Sequence, residues 1–189
     1  MKEFSKAAQE MGRTTSKTAS ESAQALKYMS LASWTAEESL LGLPSIIKAS
    51  EAGGMDLATT SDIVTDALTA FGLEAGDAAH FADILAVASS NSNTNVAMMG
   101  ESFKYAAPLF GSMGYSAEDA ALAIGLMANS GIKATNSGTA LRGILTRLAK
   151  PTKESKEAME TLGITLDDGE GNMRGWVYGK GTRRGSSCQ

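Results

Sequence analysis

The sequence is poor in the residues that build most chemical sites. It has one cysteine, Cys188, and one histidine, His80. A single thiol makes no disulfide within the chain, and the commonest zinc sites need several Cys, His or acidic ligands converging. A His-dependent nucleophilic site would have one candidate base. Aromatics amount to 6% and prolines to three. With few β-branched runs, this composition argues against a sheet protein and for a core of Leu, Ile, Met and close backbone approach. No stretch reaches the ~18 consecutive apolar residues of a membrane-spanning helix. The run AALAIGLMA at 120–128 is shorter and apolar all round, the pattern of the most enclosed helix in a helical core. The start, MKEFSKAAQEMG, carries acids and no apolar h-region, so it does not read as a signal peptide.

Charge of one sign is missing from whole regions. Between Lys48 and Lys104 there is no Lys or Arg, and after Glu170 there is no acid, only Arg174, Lys180, Arg183 and Arg184. The net charge is −4. An acid-only centre argues against direct nucleic-acid binding, which rests on neutralising phosphates.

What is present is a rhythm of helix starts and stops. Thr35 with Glu38 forms a capping box, in which each side chain satisfies an orphan amide at the other's end. Asp56, Thr94 or Asn95, Ser116 with Asp119, and Asn136 or Ser137 are further start signals, and another start falls near Gly76. Gly53-Gly54, Gly72, Gly114, Gly131 and Gly163 follow the periodic runs as stops. Phe81, Ile84, Leu85 and Ala88, and again Leu141, Ile144, Leu145 and Leu148, keep the spacing of one helix face. A unit of ~20 residues, one helix and one turn, thus recurs.

These signals predict an all-α fold: an array of short antiparallel hairpins, eight or nine helices, near 2–11, 18–33, 36–52, 57–71, 76–90, 95–112, 117–129, 137–149 and 152–162. Pro44 and Pro108 fall inside two of them and predict a bend or a split there. Three segments are expected: a helical domain over 1–163, a polar turn or short hairpin over 164–174, and a disordered Gly-rich basic tail over 175–189.

The stretch SGIKATNSGTALRGILTRLAKP sets Gly138 and Gly143 at phosphate-loop spacing. A phosphate loop then needs Lys and a hydroxyl residue, where this chain has Ile144 and Leu145 on a helix stripe. Turn, helix start and a basic last turn at Arg147 and Lys150 account for the stretch better. DDGEGN at 167–172 lacks the calcium-loop spacing. Asp62 and Asp66 stand one turn apart on a helix face, a common arrangement on a solvated helix. Lys133, Arg142, Arg147, Lys150 and Lys153 form an acid-free zone that complements the acid-only zone 49–103, within one chain or between copies. The residues nominate no catalytic, cofactor-binding or metal-ligating position.

The succession GMDLATTSDIVTDALTAFGL, then ADILAVASSNSNTNVAMMGESFKYAAPLFGSMGYSAEDAALAIGLMANSGIKATNSGTALRGILTRLAKPTKE, resembles the core region of tail tape measure proteins of long-tailed phages and prophages. The resemblance covers about residues 4–173 and is densest in NSGIKATNSGTALRGILTRLAKPTKE. It implies a non-enzymatic structural part of tail assembly, concerned with tail length and DNA delivery. It also implies a place in the tail-tube lumen of the virion, with the host cytoplasm as the site of synthesis. The partners it implies are other copies, tail tube protein, tail-assembly chaperones and tail-tip proteins. Relatives are much longer, and the change of composition at Gly175 is expected to mark a truncated product. Two other readings remain: a helical adaptor that binds partner peptides in a groove, and a wall hydrolase whose acids lie on the helices. A continuous helix over 4–163 would be ~240 Å long, but the stops and caps predict a compact body with a radius of gyration near ~16 Å.

Overall fold

The computed structural model describes residues 2–164. Among them are nine α-helices: α1 (Lys2–Thr14), α2 (Ala19–Leu31), α3 (Ala36–Gly53), α4 (Leu57–Phe71), α5 (Ala78–Ser90), α6 (Val96–Ser112), α7 (Ala117–Asn129), α8 (Ala134–Ala149) and α9 (Lys153–Thr161). One short 3-10 turn, Ala75–Asp77, precedes α5. No strand occurs among the described residues. The expected polar turn after Ile164 and the basic tail lie outside them.

The helices begin where the polar residues direct. Thr35 accepts from the Glu38 amide at 3.2 Å while the Glu38 carboxylate accepts from the Thr35 amide at 2.6 Å. Thr18 and Glu21 repeat the box at α2, and Ser116 and Asp119 at α7. Asp56 caps α4, and Asn95, not Thr94, caps α6. The expected stops at Gly54, Gly72, Gly114, Gly131 and Gly163 all have positive φ. At Gly72 (φ 66°) that conformation lets the following Leu73 amide bond back to the Leu68 carbonyl, closing α4.

One expectation fails locally. α8 begins at Ala134, after Lys133, with no side-chain cap, so neither Asn136 nor Ser137 starts it. Its first turn is held from another helix instead: the Ser102 hydroxyl on α6 donates to the Ala134 carbonyl at 2.9 Å. This contact secures Ala134 at φ 51°, a conformation costly for a residue with a β-carbon. Of the expected bend or split at the prolines, the split does not occur: α3 runs unbroken through Pro44 and α6 through Pro108. Each proline removes one amide from the ladder. Packed apolar residues on both sides, Leu43 and Ile46 in α3 and Ala107 and Phe110 in α6, hold the helix across the gap.

Consecutive helices reverse through short turns and sort into two layers. α2 packs on α4, α4 on α6 and α6 on α8 in one layer; α3 packs on α5 and α5 on α7 in the other. α1 lies against α2 and touches α3. The structural unit is therefore a pair of helices. The first residues of α2, α4, α6 and α8 (Ala19, Leu57, Val96 and Ala134) stand 38 or 39 residues apart, which makes the chain a stack of two-helix repeats.

The core runs between the layers. Phe103 on α6 is fully buried and meets Phe81 on α5 at 5.2 Å and Phe71 on α4 at 6.2 Å, both edge-on. Leu26, Val64, Phe103 and Leu141 are buried at matching positions of the four even-numbered helices. Small residues let those helices approach. A β-carbon on Gly100 would meet Ile63 of α4 at 2.9 Å, and one on Gly138 would collide with the Ser102 carbonyl of α6.

Candidate interaction surface

α5 and α7 run side by side in the same direction. Near their N-terminal ends His80 Nε2 and Glu118 Oε1 lie 2.7 Å apart. At their C-terminal ends the amide of Asn93, just past α5, donates to Oδ1 of Asn129, the last residue of α7, at 2.7 Å. Between these fastenings the helices leave an open groove of about 520 Å³ floored by Ile84, Ala88 and Ala121. Its walls are apolar and exposed: Val87 at 62%, Leu122 at 42% and Leu126 at 52%. Gly125 admits the Ser92 side chain where a larger residue would crowd it, which closes the groove at that end.

α7 is therefore not the most enclosed helix that its sequence predicts. Ala120, Ala123, Ile124 and Ala128 face the core, while Glu118, Leu122, Leu126 and Asn129 form an exposed stripe at i, i+4, i+8 and i+11. The helix is apolar all round because it serves two apolar neighbourhoods, the core inside and the groove outside.

The groove's ionisable groups are carboxylates and one imidazole. Asp83 and Glu118 stand at its N-terminal end beside His80, and neither α5 nor α7 contains Lys or Arg. The backbone amide of Glu118 itself, opposed by partial burial and helped by His80, holds that carboxyl below its ordinary pKa. Glu118 is thus an anion at neutral pH, and His80 is spent on contacting it.

The acids on α4 have a different setting. Asp62 and Asp66 share a face as expected, and Asp62 pairs with Lys104 of α6 at 2.7 Å. Partial burial and the neighbouring Asp62 carboxylate raise the Asp66 pKa, with Lys104 offsetting part of the effect. The contact ties α4 to α6. A second depression of about 480 Å³ beside α1 and α3 is lined by Met11, Pro44 and Ile47; its Glu51 already accepts from the amide and hydroxyl of Ser16.

Gly138 and Gly143 both lie inside α8, so their amides belong to a helix ladder and no loop is available to enclose a phosphate. Gly138 is a packing residue against α6, and Gly143 faces open space. Residues 167–172 lie outside the described residues. Among the described residues no group of three or more His, Cys, Asp or Glu is placed to hold a metal ion, and no helix is long and apolar enough to cross a membrane.

A two-layer stack of helix pairs with an apolar groove on its flank defines a helical scaffold. Its sequence places it more closely. The chain belongs to the phage-related minor tail protein family, whose model matches residues 5–178. It is 40% identical over 164 residues to the tape measure protein of Pneumococcus phage Dp-1, an alignment covering 87% of this chain and 14% of that protein. It is 25% identical over 169 residues to the probable tape measure protein of Escherichia phage P2, covering 89% of this chain and 21% of that one. The chain thus spans about a seventh and a fifth of these two relatives. No solved structure matches it. The family makes this a phage tail structural protein, a component of the virion.

Proposed function

We propose that this chain is a folded anchor module of a tape measure protein. In this reading the whole protein contributes to tail-length determination and DNA delivery from within the tail tube, and the measuring length lies in sequence other than this module. Tail tube protein, tail-assembly chaperones and tail-tip proteins are its partners, and its work is binding, not catalysis. One observation carries the reading: the helices are short and folded back on a shared core. The longest among the described residues, α3, has 18 residues, or ~27 Å, too short to gauge a tail by itself.

The test is to duplicate the α5–α6 repeat, residues 75–112, within a phage tape measure gene that carries this region. A folded module leaves the mean tail length unchanged. A ruler segment lengthens the tail by about 57 Å for 38 added helical residues, and that result would refute the anchor role.

The α5–α7 groove favours a compatible second reading, an adaptor that receives a partner helix. Apolar walls of this size suit an amphipathic helix laid along them. Pull-down of tail proteins by the wild-type chain, lost on Leu126→Asp, tests this role.

A further inference from the structure

Among the described helices, α4, α5 and α7 carry acids without Lys or Arg, and α8 alone carries Lys or Arg without acids. α8 also keeps Ile144 39% exposed, with Ala140 and Leu148 half-buried one turn away on either side and Arg147 beside them. This chain therefore bears both members of a complementary pair: an acid-rimmed apolar groove and a base-flanked apolar ridge. They cannot meet within one molecule. α8 is fixed to α6 by Gly138 and by the buried Leu141 and Leu145, in the layer opposite the groove.

We infer that the α5–α7 groove receives the α8 ridge of a second copy. Ile144 and Leu148 of one molecule lie along Val87, Leu122 and Leu126 of the next, and Arg147 approaches Glu118 and Asp83. Groove and ridge are different surfaces, so the contact is heterologous and leaves a free groove at one end and a free ridge at the other. Such contacts build open chains of copies instead of closed dimers. The apolar contact supplies affinity; the charges set register and make association weaken with salt. The inference stands on the two surfaces themselves and does not depend on the anchor role.

The experiment is sedimentation velocity on the 189-residue chain and on two variants, Leu126→Asp and Ile144→Asp. Both positions are exposed, and circular dichroism checks that helix content is kept. The wild type should grow past dimer with concentration, and less so in high salt. Each variant alone should remain at 19.6 kDa, its self-affinity reduced roughly tenfold or more. Mixed together, they should form a 1:1 heterodimer and nothing larger, because one retains a working ridge and the other a working groove. A monomeric wild type, including one whose own residues 165–189 cover the groove, would overturn the proposal. So would a closed dimer, variants that associate like wild type, or a mixture that stays monomeric.

Discussion

Gly138 of α8 rests directly on the carbonyl of Ser102 in α6, leaving no room for a β-carbon. The neighbour is backbone and cannot swing aside, so Gly138→Ala forces the two helices apart. The expected cost is roughly 1–3 kcal/mol, the usual penalty for overpacking. Gly143, five residues on in the same helix, has nothing within 4 Å of its would-be β-carbon. Gly143→Ala should stabilise by up to ~1 kcal/mol through helix propensity alone. Chemical denaturation of both variants checks the pair; equal effects would mean that α8 does not pack on α6 as described.

Two of the fully buried serines, Ser22 and Ser137, have hydroxyls without a hydrogen-bond partner. They start from matching places in α2 and α8, three residues past each helix's first residue. Removing such a hydroxyl releases a desolvation cost, so Ser22→Ala and Ser137→Ala should be neutral or stabilising. Ser50 is the contrast. It is equally buried, but its hydroxyl donates to the Met55 carbonyl at 2.7 Å across the α3–α4 turn. Ser50→Ala should cost about 1 kcal/mol. Midpoints of urea unfolding for the three variants report the difference.

Phe103 joins three helices through its contacts with Phe71 and Phe81. Phe103→Ala empties the middle of the stack and should cost ~3–5 kcal/mol. Loss of near-ultraviolet dichroism with partial retention of helix is the expected sign.

Stability should depend on pH through the capping carboxylates. Hydrogen bonds from the Thr18, Thr35 and Thr59 amides lower the pKa values of Glu21, Glu38 and Asp56 respectively. A carboxyl whose folded pKa is depressed contributes fully above its unfolded value, ~4, and loses that contribution as pH falls through the folded value. Thermal midpoints should therefore fall below about pH 4 on this account. Asp66 has the opposite sign: its raised folded pKa makes its charged form a liability above that value. Asp66→Asn should raise the midpoint at neutral pH and change little in acid. A variant midpoint lower than wild type at neutral pH would contradict this.

Most helix boundaries were legible in the sequence because local chemistry sets them. Thr35 with Glu38, Asp56, and Ser116 with Asp119 satisfy orphan amides within a few residues, and the glycine stops need no distant partner. The start of α8 is not legible locally because it has no side-chain cap; the contact that holds it, from the Ser102 hydroxyl to the Ala134 carbonyl, comes from 32 residues away. The repeat was read at half its length for a related reason. Each helix with its turn looks alike in sequence, and only packing assigns alternate helices to different layers. The groove was hidden in the same way. Leu122 and Leu126 read as core because the run 120–128 is apolar throughout. The available signal was the surplus: a helix flanking one core needs apolar residues on one face, so a fully apolar surface helix has a second apolar neighbour to account for.

Small-angle scattering from the purified 189-residue chain, at concentrations low enough to suppress association, tests the folded stack most directly. The account predicts a compact particle with a radius of gyration near ~16 Å. A rod-like profile with a cross-section of one helix and a value approaching ~70 Å, as for a continuous helix of this length, would contradict it.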